Sequence, residues 1–110
     1  VAVEHLFHIA LATDWEAAQA TGDYRVSTLG RSLADEGFLH ASHAHQWRDV
    51  LAASYSDVED PLVLLEIDPD RLQVPVVVEP PPGAGPGAER FPHVYGPLPV
   101  DAVVAVTPLP

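Results

Sequence analysis

The run LVLLEI, Leu62 to Ile67, constrains the fold more than any other stretch of the chain. Side chains alternate across a strand, so a run apolar at successive positions must bury both of its faces. Such a strand belongs inside a sheet, with a packed layer over each side. Asp68 and Pro69 end it, since proline brings no amide to the ladder. The opening VEHLFHIAL places Val3, His5, Phe7 and Ile9 on one side and Glu4, Leu6 and His8 on the other, which predicts a second internal strand. FLHAS is long enough for one short strand, and DAVVAVTPL closes the chain as another. LQVPVVVEPP is a further extended run, with Pro75 excluding a central hydrogen-bonded position.

Helical signals lie between these runs. ATDWEAAQATGDY reads as a helix with Thr13 as N-cap, Glu16 completing a capping box, Trp15, Ala18 and Gln19 on one face, and Gly22 as the stop. In STLGRSLADEGF, Ser32 caps a short helical turn, Leu33 packs inward and Gly37 ends it. Ser42 is placed to cap a third helix, in which Gln46, Trp47, Val50, Leu51 and Ser54 recur at helical spacing. PPPGAGPGAER is the one low-complexity segment and predicts a mobile loop over residues 80–90, while FPHVYGPLP reads as an ordered turn. Two or three helices with five or six short strands make an α+β pattern, and 110 residues fit a single domain spanning 1–110.

Charge limits the partners. Sixteen acidic residues face five arginines and no lysine, giving a net charge of -11 that repels phosphate backbones and anionic membranes. No apolar run reaches the roughly 20 residues that cross a bilayer, and no basic stretch precedes a secretory core, so a soluble cytoplasmic protein is expected. With no cysteine, thiolate ligands, a thiol nucleophile and disulfides are excluded.

Polar chemistry concentrates in EGFLHASHAHQ and RFPHVYG. His40 and Ser42 share one side of an extended segment, so one ligand can touch both. His40, His43 and His45 resemble a metal set only in number, because a strand followed by a helix makes their side chains diverge. No metal site is expected. Ser42 lies in no Gly-x-Ser-x-Gly elbow, and the glycine-rich loop lacks the lysine and helix of a phosphate cradle. Glu79 ends an apolar run beside that loop, where a carboxylate can reach a cleft from fixed backbone. Arg90, His93 and Tyr95 bring together a cation, a titratable ring and an amphipathic aromatic. A surface ion pair for Arg90, a hydrogen-bonded turn for His93 and a core plug for Tyr95 are the alternative.

Taken together, FHIA, Trp15, Gly22-x-Tyr24, SLADEGFLHAS, Gln46, LVLLEID, Glu79 and RFPHVYGPLP closely resemble domain-of-unknown-function family 952, an uncharacterised bacterial family. The resemblance implies an ADP-ribosylation-like fold, a split pair of small, curved, mainly antiparallel sheets with a cleft between them that often binds NAD. It places His8 on ribose or adenylate hydroxyls, His40 or Ser42 at the middle position, and Glu79 beside the nicotinamide ribose, where a carboxylate steadies oxocarbenium charge. The implied catalytic residues are Glu79, His8 and His40, with His8, Ser42, Arg90, His93 and Tyr95 holding a nucleotide. The middle position lacks the tyrosine of toxin-like transferases, and so few cations argue against an RNA substrate. A ribosyl transferase or glycohydrolase acting on a small substrate, a noncatalytic nucleotide or metabolite module, and a structural or interaction protein are the three readings carried forward.

Overall fold

A computed structural model describes residues 4–110. Val3, assigned above to one side of the first strand, lies outside them. In chain order the elements are β1 (Leu6–Leu11), α1 (Ala12–Thr21), β2 (Asp23–Tyr24), β3 (Val26–Thr28), β4 (Arg31–Ser32), α2 (Leu33–Glu36), β5 (Leu39–His40), α3 (Trp47–Ser54), β6 (Leu62–Ile67), β7 (Val76–Glu79), β8 (Phe91–Val94), β9 (Leu98–Pro99) and β10 (Val103–Pro108).

The apolar run Leu62–Ile67 is the middle strand of an antiparallel sheet ordered β1-β6-β10. Its alternation serves two cores. Val63, Leu65 and Ile67 join Leu6, Trp15, Tyr24, Leu39, Val94 and Leu98 on one face. Leu62 and Leu64 join Ile9 and Tyr55 on the other, with Trp47, Val50 and Leu51 of α3 packed over them. A second antiparallel sheet is ordered β5-β8-β7, and the pairs β2-β9 and β3-β4 complete an α+β arrangement of small antiparallel sheets and short helices. The two larger sheets are linked at the Phe7–Ser42 bridge, where Phe7 N–H donates to Ser42 O at 2.8 Å and Ser42 N–H donates to Phe7 O at 2.7 Å. Leu6 and Leu65 of one share a core with Leu39 and Val94 of the other, and beside the bridge a cleft opens between them. No helix among the described residues is long and apolar enough to cross a membrane.

Several local expectations hold. Ser32 and Asp35 form a capping box at α2, and Gly22 and Gly37 end their helices in the left-handed conformation, with φ of 96° and 83°. Others are corrected. Thr13 lies inside α1 and caps nothing; the first helical amide, on Ala12, is met by Pro61 O at 2.9 Å, because the β1-β6 register delivers that carbonyl. Gln19 is exposed, so Trp15 and Ala18 alone form the buried face. Ser42 does not cap α3, which starts at Trp47 without a side-chain cap; its backbone is used in the bridge to Phe7. FPHVYGPLP is not a turn but supplies β8, the middle strand of the second sheet, followed by β9. Pro92 is tolerated there with its carbonyl still accepting the Ala41 amide at 3.0 Å.

Gly96 follows β8 where the chain passes close to Val74. A Cβ at this position meets Val74 Cγ1 at 2.3 Å and Val74 Cβ at 2.9 Å, a collision partly with a branch point that cannot swing away. Gly96→Ala is therefore expected to destabilise the fold by roughly 1–3 kcal/mol, the usual cost of overpacking, measured by urea unfolding. A neutral result shows that the 72–76 segment shifts freely.

Candidate functional site

Where the two sheets part, a cleft of about 310 Å³ opens. Phe7, His8 and Ile9 of β1 form one wall; His40, Ala41 and Ser42, running out from β5, form the other. Thr28, Val50, Ser54 and Tyr55 lie along it, and Phe91 of β8 and Pro81 of the loop after β7 complete it. Most of this surface is apolar, with a few polar groups converging on it, the usual chemistry of a small-ligand pocket.

His8 is buried at 5% exposure, and both ring nitrogens are engaged. Nδ1–H donates to His40 O at 2.5 Å, and the Tyr24 hydroxyl lies 3.1 Å from Nε2. Because a carbonyl only accepts, the proton sits on Nδ1 and Nε2 accepts from Tyr24. Burial lowers the His8 pKa to about 4, since a charged imidazolium loses its hydration here; the bond to the His40 carbonyl acts in the opposite direction and offsets only part of that loss. A ligand hydroxyl can reach His8 Nε2 only by displacing Tyr24.

The opposite wall is freer. His40 is a third exposed, with Nε2 3.2 Å from Glu36 Oε1. Ser42 is buried to 6%, and its hydroxyl makes no hydrogen bond to a described residue, which leaves it available to a ligand.

One step further into the second sheet lies a polar cluster. Antiparallel register sets His93 opposite both His40 and Val77, and Glu79 opposite Phe91. Period-two alternation then puts Phe91, His93 and Tyr95 on one face with His40 and Glu79. His93 Nδ1 is 2.8 Å from Glu79 Oε2, and the Tyr95 hydroxyl donates to the same oxygen. These donors hold the Glu79 carboxyl below the ordinary glutamate range, the Tyr95 bond first and His93 second, while Glu79 raises the Tyr95 hydroxyl in return. Phe38 lies over the group, stacked on His93 at 4.0 Å and edge-on to His40 at 4.7 Å.

The structure thus brings His8, His40 and Ser42 to the cleft, and Glu79, His93 and Tyr95 into one cluster beside it. Arg90 is not brought in: its side chain is exposed and outside the cleft lining, because it precedes β8, and it enters the network only through its carbonyl. That carbonyl accepts from Gln46 Nε2 at 2.8 Å; the same amide donates to Glu89 at 3.0 Å, and Gln46 Oε1 accepts the His43 amide at 2.9 Å. Gln46, buried to 3%, pins the end of the Pro/Gly segment to the turn before α3. His43 and His45 stack in that turn, ahead of the helix rather than on it, and His43 Nδ1 is 3.4 Å from Glu4. Among the described residues no group of three or more histidines and carboxylates is placed to hold a metal ion.

Phe38, Tyr24, Glu36 and Tyr55 were missed as site residues by sequence reasoning. The alternation Phe91, His93, Tyr95 could have been read as a strand face, which is the one signal that joins Tyr95 to His93. Tyr24 meets His8 through a long-range contact that no local spacing reveals.

A family model described as "Protein of unknown function (DUF952)" matches residues 9–106. The chain is similar to protein CC0527 from Caulobacter crescentus: against its X-ray crystal structure the identity is 28% and the TM-score 0.77, covering 96% of this chain and 86% of that one. Against the solution NMR structure of the same protein the identity is again 28% and the TM-score 0.74, with coverage of 96% and 84%. No curated protein matches the chain.

Proposed function

The chain belongs to the DUF952 family of proteins of unknown function, and from that premise and the geometry of the cleft we propose that it binds a nucleotide of the NAD class between its two larger sheets, on an ADP-ribosylation-like plan. The observation that carries this reading is the cleft itself, placed beside the Phe7–Ser42 bridge between two small antiparallel sheets and edged by Ser42 and His40. Its volume of about 310 Å³ is at the small end for ligand sites. That suits one nucleoside half, a planar base among Phe7, Ile9, Tyr55 and Phe91 with ribose hydroxyls toward Ser42 and His40. The phosphates stay outside, where a net charge of -11 opposes them.

Ribosyl transfer or glycohydrolysis is the second reading, favoured by one observation. Glu79 is held ionised by Tyr95 and His93 and stands across the ladder from the cleft residue Phe91. A fixed carboxylate beside a reacting ribose is what a developing oxocarbenium requires.

Titration of amide NMR spectra with NAD and with ADP-ribose tests both readings. Saturable shifts are expected at Phe7, Ser42 and Phe91, tightening as added salt screens the phosphates from the acidic surface. Absence of any response at millimolar ligand sinks the binding reading. Release of nicotinamide on long incubation, abolished in Glu79→Gln, supports the enzyme; unchanged ligand after the same incubation leaves the binding module.

A further inference from the structure

Resting on the reading of the cleft as a nucleoside site, we propose that His93 is a further ligand-binding residue, whose Nε2 accepts a hydrogen bond from a ligand hydroxyl or amide and whose orientation is set by Glu79 and Tyr95. His93 is fully buried at 0% exposure in the middle strand of the second sheet. Its Nδ1 faces the Glu79 carboxylate at 2.8 Å. An ionised carboxylate only accepts, so in the neutral ring the hydrogen sits on Nδ1 and Nε2 presents a bare lone pair. That lone pair has no protein partner among the described residues. Buried polar atoms are seldom left so, because an unmet acceptor forfeits its hydration without return.

Position ties this acceptor to the cleft. His93 stands directly opposite His40 and two residues along from Phe91, and both neighbours line the cavity. The His40 and His93 rings are 5.4 Å apart, so the cavity ends at His40 with His93 one strand further in. Phe38, stacked at 4.0 Å, covers the ring, so Phe38 and His40 must move aside for a ligand in the cleft to reach Nε2. Tyr95 is a positioning residue in this arrangement: its hydroxyl shares the Glu79 oxygen that fixes the imidazole. The ligand class that follows is a nucleoside carrying a neutral donor, a ribose hydroxyl or a carboxamide N–H, rather than an acid.

The test uses ¹⁵N-histidine NMR of the full chain titrated with NAD, with amide shifts at Phe7 and Ser42 followed in the same samples. The expected result is movement of His93 Nε2 that saturates in step with those amides, and roughly fivefold weaker binding by His93→Phe, which keeps a ring against Phe38 but removes the acceptor. Should the variant fail to fold, the nitrogen shift of the unaltered protein decides alone. Saturation at Phe7 and Ser42 with His93 Nε2 unmoved, or wild-type affinity in a folded His93→Phe, overturns this proposal and leaves the cleft reading intact. No response at any of the three overturns both.

Discussion

Replacing Leu65 by alanine is expected to lower the unfolding free energy by roughly 2–5 kcal/mol, the range for large-to-small changes at sites that cannot collapse. Leu65 has no solvent exposure. It lies mid-strand in the central β6, opposite His8 on β1 and Val106 on β10, within the core that also holds Trp15, Tyr24, Leu39 and Val94. All these elements are fixed by the ladder, so little can move into the space left behind. Because a domain of this size has only about 5–15 kcal/mol in total, the variant sits near the edge of folding. Val106→Ala is the control, since Val106 belongs to the same sheet but is 41% exposed. Urea unfolding with an unchanged slope checks both. A loss under about 1 kcal/mol in Leu65→Ala contradicts a core built around β6.

Leu65 and Val106 are both apolar residues in apolar runs, and their difference shows what the sequence makes legible. LVLLEI announces an internal strand because no single face could hold its side chains, and the structure divides them between two cores as alternation requires. Gly22, Ser32 and Gly37 were readable because capping is local chemistry among residues three or four apart. Thr13 and Ser42 misled for the complementary reason. Each has the right side chain for a cap, but the first amide of α1 is met by Pro61 from far along the chain, and the Ser42 backbone is held in the bridge to Phe7, ahead of where α3 starts at Trp47. FPHVYGPLP looked like an ordered turn held by its large side chains, and the short pairs β2-β9 and β3-β4 are too brief to show alternation. The site was legible as a set of residue types. Its division was not: whether His93 meets Glu79 and Tyr95, or His8 meets Tyr24, depends on register between strands that are distant in sequence.

Lowering the pH from 6.5 to about 4 is expected to remove roughly 3 kcal/mol of stability through His8 alone, and His8→Gln is expected to lose that dependence. The sign follows from which state binds the proton. The unfolded chain carries His8 at its ordinary value of 6.5, whereas burial holds the folded ring at about 4. Between those values the unfolded state takes up the proton and the folded state does not, so stability is complete above 6.5, falls as pH drops, and levels off once both states are protonated. Glu79 and Asp35, both held below their ordinary values by hydrogen bonds, lose their contributions in a lower window. Urea midpoints measured across the His8 window, wild type against His8→Gln, separate the two. Parallel curves contradict a neutral, desolvated His8. Titration of the folded ring reaches the cleft, because the His8 Nδ1–H bond to His40 O ties β1 to β5 along the walls of the cavity. The folded ring charges only as pH falls through about 4, which strains that tie, so ligand affinity is expected to fall there, below the window in which most of the stability is lost, and a cleft held by other contacts would keep its affinity.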